Sequence, residues 1–124
     1  MLIVFDLDNF KYINDTYGHQ AGDQCLKVIA ECLKKAYSRY GNCYRIGGDE
    51  FCVLFREPKK EKYCREKFYW IIEKRKKSLH MLPGASYGSA LIEEQESISD
   101  TKARADANMY ANKKARKQAR RPGR

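Results

Sequence analysis

After Met1 the chain runs through four apolar residues, Leu2 to Phe5, and then alternates acids with a leucine: Asp6, Leu7, Asp8. That pattern predicts a buried strand ending in carboxylates, with strand alternation placing Asp6 and Asp8 on one face. Phe10, Ile13 and Tyr17 then recur at helical spacing, and Gly18 ends that short helix. A second helix is predicted to open at Gly22 and Asp23, to bury Cys25, Ile29, Cys32 and Ala36, and to end at Gly41 and Asn42. The runs CYRI (43–46) and FCVLF (51–55) are β-prone, and the intervening GGDE predicts a hairpin. Pro58 starts a third helix with a stripe of Cys64, Phe68, Ile71, Arg75 and Leu79, and Trp70 packs beside it. GASYGSALI (84–92) reads as a strand, weakened at its start by Pro83 and Gly84. Asp100 is positioned to cap a last helix carrying Ala103, Ala107 and Tyr110 inward.

The predicted order is β-α-α-β-β-α-β-α, with no repeat and no linker. Hairpins combined with crossover helices imply an α+β sandwich with one mainly antiparallel sheet and flanking helices. In a ferredoxin-like, palm-type arrangement the first strand lies beside the central hairpin. Asp6 then faces Asp49 and Glu50.

Composition narrows the class. The 124 residues suffice for one domain with a modest core. No run of 18 apolar residues is present, so no membrane span is predicted. The apolar start lacks a basic flank and a small-residue cleavage site, so a cytoplasmic chain is expected. Five cysteines without CxxC spacing read as core residues, with a zinc site as the alternative. The net charge of +9 is uneven, because residues 113–124 hold seven Lys and Arg and no acid. The other 112 residues carry 18 basic and 16 acidic groups. The expected organisation is therefore a domain over 1–117 and a basic tail over 118–124. The tail alone suggests either a solvated helix end or an anion-binding patch. No specific nucleic-acid partner is expected.

Several carboxylates meeting at a sheet edge repel one another unless a cation sits among them. Hard oxygen ligands with open positions suit Mg²⁺ or Mn²⁺ shared with phosphates. Gly47 and Gly48 permit a tight turn and close approach of a bulky ligand. On the GGDE string alone, a tight turn with solvated acids stands equally open.

The longer motifs separate these readings. FDLDNFKYINDTYGHQAGDQCL (5–26) followed by RIGGDEF (45–51) resembles the GGDEF-domain family, the diguanylate cyclases. ASYGSA (85–90) and RADANMYANKKARK (104–117) are similar to its later strand and last helix, so the resemblance covers nearly the whole chain. It implies an enzyme of the nucleotidyltransferase type, condensing two GTP into cyclic di-GMP with release of pyrophosphate. Each of two facing domains holds one GTP, so catalysis requires a homodimer. The resemblance makes Asp6, Asp49 and the Leu7 carbonyl ligands of Mg²⁺ or Mn²⁺, with Glu50 assisting. Asp49 and Glu50 are the catalytic pair, and Asp49 is also a candidate general base. Asn14 and Asp23 would read guanine. The backbone at Asn9 and Phe10, with Lys11, Gly47, Gly48, Lys113 and Lys117, would hold the nucleotide and its phosphates.

Three departures from the family pattern carry expectations of their own. Lys117 occupies the place of a phosphate-binding arginine, and Arg116 that of a glycine; lysine supplies charge without the bidentate fork. Arg116 could stand in for that arginine if the helix end shifted. The window of the family's Arg-x-x-Asp product site reads Ser38-Arg39-Tyr40-Gly41, so no inhibitory product site is expected. Met1 stands directly on the first strand, where the family has a preceding helix; an exposed apolar strip on the sheet is expected, with no sensory or dimerising module in this chain. The alternatives to a cyclase are a non-catalytic GTP-binding regulatory domain and, on the tail alone, a basic nucleic-acid-binding module.

Overall fold

Leu2, Ile3, Val4 and Phe5 are at most 4% exposed, because they form an inner strand with partners on both edges. The protein is described by a computed structural model over residues 1–119. Its elements are β1 (Leu2–Leu7), α1 (Phe10–Tyr17), α2 (His19–Tyr37), β2 (Gly41–Gly47) and β3 (Glu50–Phe55). A 3₁₀ turn (Pro58–Lys60) then leads into α3 (Glu61–Arg75), followed by β4 (Ala85–Ala90) and α4 (Ile98–Ala119). The sheet order is β2-β3-β1-β4 with every neighbouring pair antiparallel, as the predicted α+β sandwich requires.

One face of the sheet carries Ile3, Phe5, Leu7, Phe51, Val53 and Phe55 against helices α2 and α3. Phe5, Tyr37, Phe55 and Phe68 meet edge-on, with centroids 5.1–5.7 Å apart for the three closest pairs. Cys25, Cys32 and Cys64 are buried, and Cys43 and Cys52 half-buried, all as free thiols. The other face is smaller: Leu2, Val4 and Ala90 lie under Ala105 and Met109 of α4. Gly88 makes that approach possible, since a Cβ there would stand 2.1 Å from Met109 N and 2.2 Å from Ala105 O. Asn108 Nδ2 donates to Ser89 O, and Tyr87 N donates to Asn112 Oδ1. The outward backbone groups of edge strand β4 are thus covered by α4. Tyr44 and Leu54 lie on this same face, beyond α4, and stay 47% and 37% exposed.

Several element boundaries differ from expectation. β1 ends at Leu7, so Asp8 leaves the strand and does not share a face with Asp6. α2 begins at His19, because Gly18 at φ 92° ends α1 and caps α2 in one residue. Gly41 and Asn42 start β2 rather than ending α2, and Gly41 fits there because a Cβ would meet Leu54 O at 2.5 Å. α3 buries Ile72 rather than Ile71, and Trp70 is 61% exposed beneath Lys74. β4 stops at Ala90, which leaves Leu91 and Ile92 exposed. Ser97 caps α4 through Asp100 N, and the inward residues are Thr101 and Ala105, not Ala103, Ala107 and Tyr110. Helix α4 continues through Ala119, two residues past the expected domain boundary; residues 120–124 of the basic tail lie outside the described residues.

Candidate active site

The β1–β3 register sets Asp6 opposite Glu50 at the end of the sheet where the hairpin turns. Leu7 N donates to Asp49 O at 3.2 Å, which ties the turn to β1. Within the turn Gly48 adopts φ 44°, and the Arg45 guanidinium donates from Nε and Nη2 to Gly48 O at 3.0 and 2.7 Å. Arg45 thus shapes the loop, a role that the strand pattern alone does not disclose.

The acids that the sequence predicts to converge divide into three arrangements. Asp49 lies beside Asp6 at the turn. Burial first, then the Asp6 charge and a hydrogen bond toward Asp6, push the Asp49 carboxyl above its ordinary value of 3.8; the Lys113 ammonium opposes the rise. Lys113 Nζ reaches from α4 to Asp6 Oδ2 at 2.5 Å. Glu50 turns instead to Lys102 Nζ, 3.0 Å from its Oε1, and Lys102 also holds Asp106 Oδ2 at 2.8 Å. Asp8, 3% exposed, accepts from Ser86 Oγ at 2.7 Å, while Arg116 donates from Nε and Nη2 to its Oδ2 at 3.1 and 3.0 Å. Among the described residues no three acidic, histidine or cysteine groups gather into a metal cluster. Glu50, expected to assist Asp6 and Asp49 at a cation, is paired here with Lys102 of α4. Arg116 is likewise committed to Asp8 and stacks over the Tyr69 ring at 5.3 Å, so it does not take the place of a phosphate-binding arginine.

The Asp6–Asp49 pair still fits a hard divalent cation. Two neighbouring carboxylates whose charges oppose each other, with an ammonium drawn onto one of them, are a site that attracts positive charge. Leu7 is adjacent in the backbone. Asn9 adopts φ 56° ahead of α1, whose first turn has no side-chain cap and no acid, so the N–H groups near Phe10 and Lys11 face a potential anion. Lys11 is exposed on that turn.

Asn14 and Asp23 come together through Gly22. A Cβ at Gly22 would overlap the Asn14 Oδ1 at 1.9 Å, so the glycine admits the amide against α2, one residue from Asp23. Asp23, Leu26, Lys27, Ala30, Arg45 and Phe51 line a groove of about 370 Å³ leading toward the hairpin. On α4 a second groove of about 310 Å³ is lined by Tyr110, Lys113, Lys114, Lys117 and Gln118. Lys113 therefore stands between the carboxylate pair and a cationic surface.

Comparison with known proteins bears on the family and the fold. The family model described as "Diguanylate cyclase, GGDEF domain" matches residues 1–119. "Probable diguanylate cyclase DgcJ" of Escherichia coli (strain K12) is 34% identical over 119 residues, covering 91% of this chain and 23% of that protein. Diguanylate cyclase DgcS of Shewanella oneidensis is 49% identical over 53 residues, 43% of this chain and 18% of that protein. The chain thus spans less than a quarter of the length of these relatives. The GGDEF domain of DgcB from Caulobacter crescentus, solved in complex with c-di-GMP, superposes with a TM-score of 0.80 at 30% identity, covering 92% of this chain and 71% of that one. With a family match over nearly its whole length and this fold, the chain belongs to the GGDEF family of diguanylate cyclase domains.

Proposed function

We propose that this chain is the catalytic half-site of a diguanylate cyclase: it binds one GTP and, facing a second copy, condenses two GTP into cyclic di-GMP. The observation that carries this reading is the Asp6–Asp49 pair at the hairpin turn, with the Lys113 ammonium on it. The reaction forms two bonds in the same way: each time the ribose 3′-oxygen of one nucleotide bonds to the α-phosphorus of the other, the bond from that phosphorus to its bridging oxygen breaks, and one pyrophosphate leaves with the electron pair, so that ring closure releases the second. Asp6, Asp49 and the Leu7 carbonyl are the residues that would hold Mg²⁺ or Mn²⁺. Such a cation supplies charge neutralisation for the transferring phosphoryl group and the leaving pyrophosphate. Asp49, when ionised, would also accept the hydroxyl proton.

The remaining side chains orient the nucleotide. Asp23 can accept from guanine N1–H and N2–H₂, and Asn14 can meet the remaining polar edge. The α1 N-terminus at Asn9 and Phe10, together with Lys11, Lys113 and Lys117, supplies donors and positive charge to the phosphates. Gly47 and Gly48 leave the turn free of side chains, and a Cβ at either would point into open space, where substrate would approach. The domain would act in the cytoplasm, would need a second copy to complete the site, and would lack product inhibition at Ser38–Gly41.

Incubation with GTP and Mg²⁺ followed by chromatography should yield cyclic di-GMP, and Asp49→Ala should abolish it. In a binding titration GTP should exceed ATP by at least about 100-fold, because adenine would leave Asp23 facing an acceptor. Equal affinity for the two nucleotides rejects the assignment of Asn14 and Asp23. A second reading, a GTP-binding regulatory domain without turnover, is favoured by the engagement of Glu50 with Lys102, which also holds Asp106. Tight GTP binding without cyclic product would select it.

A further inference from the structure

Three cations of α4 meet carboxylates at this end of the sheet, and they are held differently. Lys102 is clamped between Glu50 and Asp106, two acids on different elements. Arg116 makes two hydrogen bonds to the buried Asp8 and lies over Tyr69. Lys113 is ion-paired with Asp6 and also lines the cationic groove with Lys114 and Lys117, so its ammonium has a carboxylate on one side and that groove on the other. Leaving would cost Lys113 one ion pair, whereas Lys102 would give up two and Arg116 two hydrogen bonds to a carboxylate that is 3% exposed.

We propose that Lys113 is an exchangeable counter-ion: it neutralises Asp6 in the ligand-free protein and is released to a polyphosphate when a divalent cation takes that carboxylate. This rests on the site described under the proposed function. An ammonium and a divalent cation compete for one carboxylate oxygen, so Lys113 opposes binding of the metal alone. A polyphosphate offers the ammonium a new partner and removes the competition. Metal and polyphosphate therefore favour the same rearranged state, and each strengthens the other beyond any direct coordination between them. The arrangement keeps the carboxylate pair neutralised until both ligands are present.

The test measures Mn²⁺ binding without nucleotide, by the loss of the free-ion electron paramagnetic resonance signal. It uses the whole chain and the variants Lys113→Met, Lys117→Met and Asp6→Ala. Lys113→Met should bind Mn²⁺ about tenfold more tightly than wild type, the effect of removing one neighbouring positive charge at a partly exposed site. Lys117→Met, which removes the same charge one helical turn further along α4, should change it less than twofold. Inorganic tripolyphosphate, titrated calorimetrically without metal, should bind more weakly to both lysine variants. That opposition of signs at Lys113 is not produced by a lysine that only stabilises α4. Lys113→Gln, with strong helix propensity, repeats the test should the methionine variant not fold. Mn²⁺ affinity in Lys113→Met or Lys113→Gln equal to or below wild type, with Asp6→Ala weakened, overturns the exchange and leaves the metal site standing. Undiminished Mn²⁺ binding in Asp6→Ala overturns the metal site and, with it, both proposals.

Discussion

Asp49 is the residue whose environment departs most informatively from water. Its carboxyl is raised by burial first and by Asp6 second, so the metal-free fold favours its protonated form. The linkage then runs in one direction. A group with a raised folded pKa contributes stability that is full below its unfolded value and is lost as pH rises through the folded one. Metal-free protein should therefore lose stability as pH climbs from the ordinary carboxylate range through the elevated Asp49 value. Asp49→Asn should flatten that dependence and raise the melting temperature at neutral pH by a few degrees. Thermal melts in chelator across pH check this, and a steeper rather than flatter profile in the variant would reject it. Added Mg²⁺ should stabilise wild type and not the variant, since only the wild type keeps both carboxylates.

At the scale of elements, α4 and its seat on β4 decide where the chemistry stands. The helix brings Lys102, Lys113 and Arg116 to three different acids, and its depth is set by Gly88. Gly88→Ala should cost about 3 kcal/mol, because its Cβ would press on helix backbone that cannot yield like a flexible side chain. Urea unfolding measures this; a loss below about 1 kcal/mol would mean that α4 can lift without penalty. Arg116→Ala removes both guanidinium bonds to a buried carboxylate, at a cost of about 2–3 kcal/mol. It should also loosen the phosphate-facing turn at Asn9, next to Asp8, and be read as faster amide exchange from residue 9 to residue 12.

For the whole molecule, one chain carries one set of the residues proposed to contact nucleotide, while the proposed product contains two nucleotides. Rate per protein should rise with protein concentration and level off as the dimer saturates. A dimeric coiled coil fused ahead of Met1 should raise activity in dilute solution by raising effective concentration, leaving the plateau unchanged. Initial rates across a dilution series test it, and constant specific activity in dilute unfused protein would reject the need for two copies. Among the described residues no helix is long and apolar enough to cross a membrane.

Much of this protein is legible in its sequence. Period-two and period-3.6 patterns located all eight principal elements, because burial acts on one residue at a time and leaves a local trace. The GGDE turn, the Asp6 strand end and the Asn14–Gly22–Asp23 spacing are likewise local, and each stands in the structure near where the chain order implies. The α4 register did not follow from pattern. Its inward positions are Thr101 and Ala105, small residues chosen by close approach to Gly88, and small residues carry little hydrophobic signal. The partners of the acids were also beyond the sequence. Asp6 lies on β1, Asp8 just past its end and Glu50 opposite Asp6 on β3, yet each is claimed by a cation more than 50 residues away. Coulomb attraction depends on distance in space, and only the packing of α4 across the sheet sets those distances.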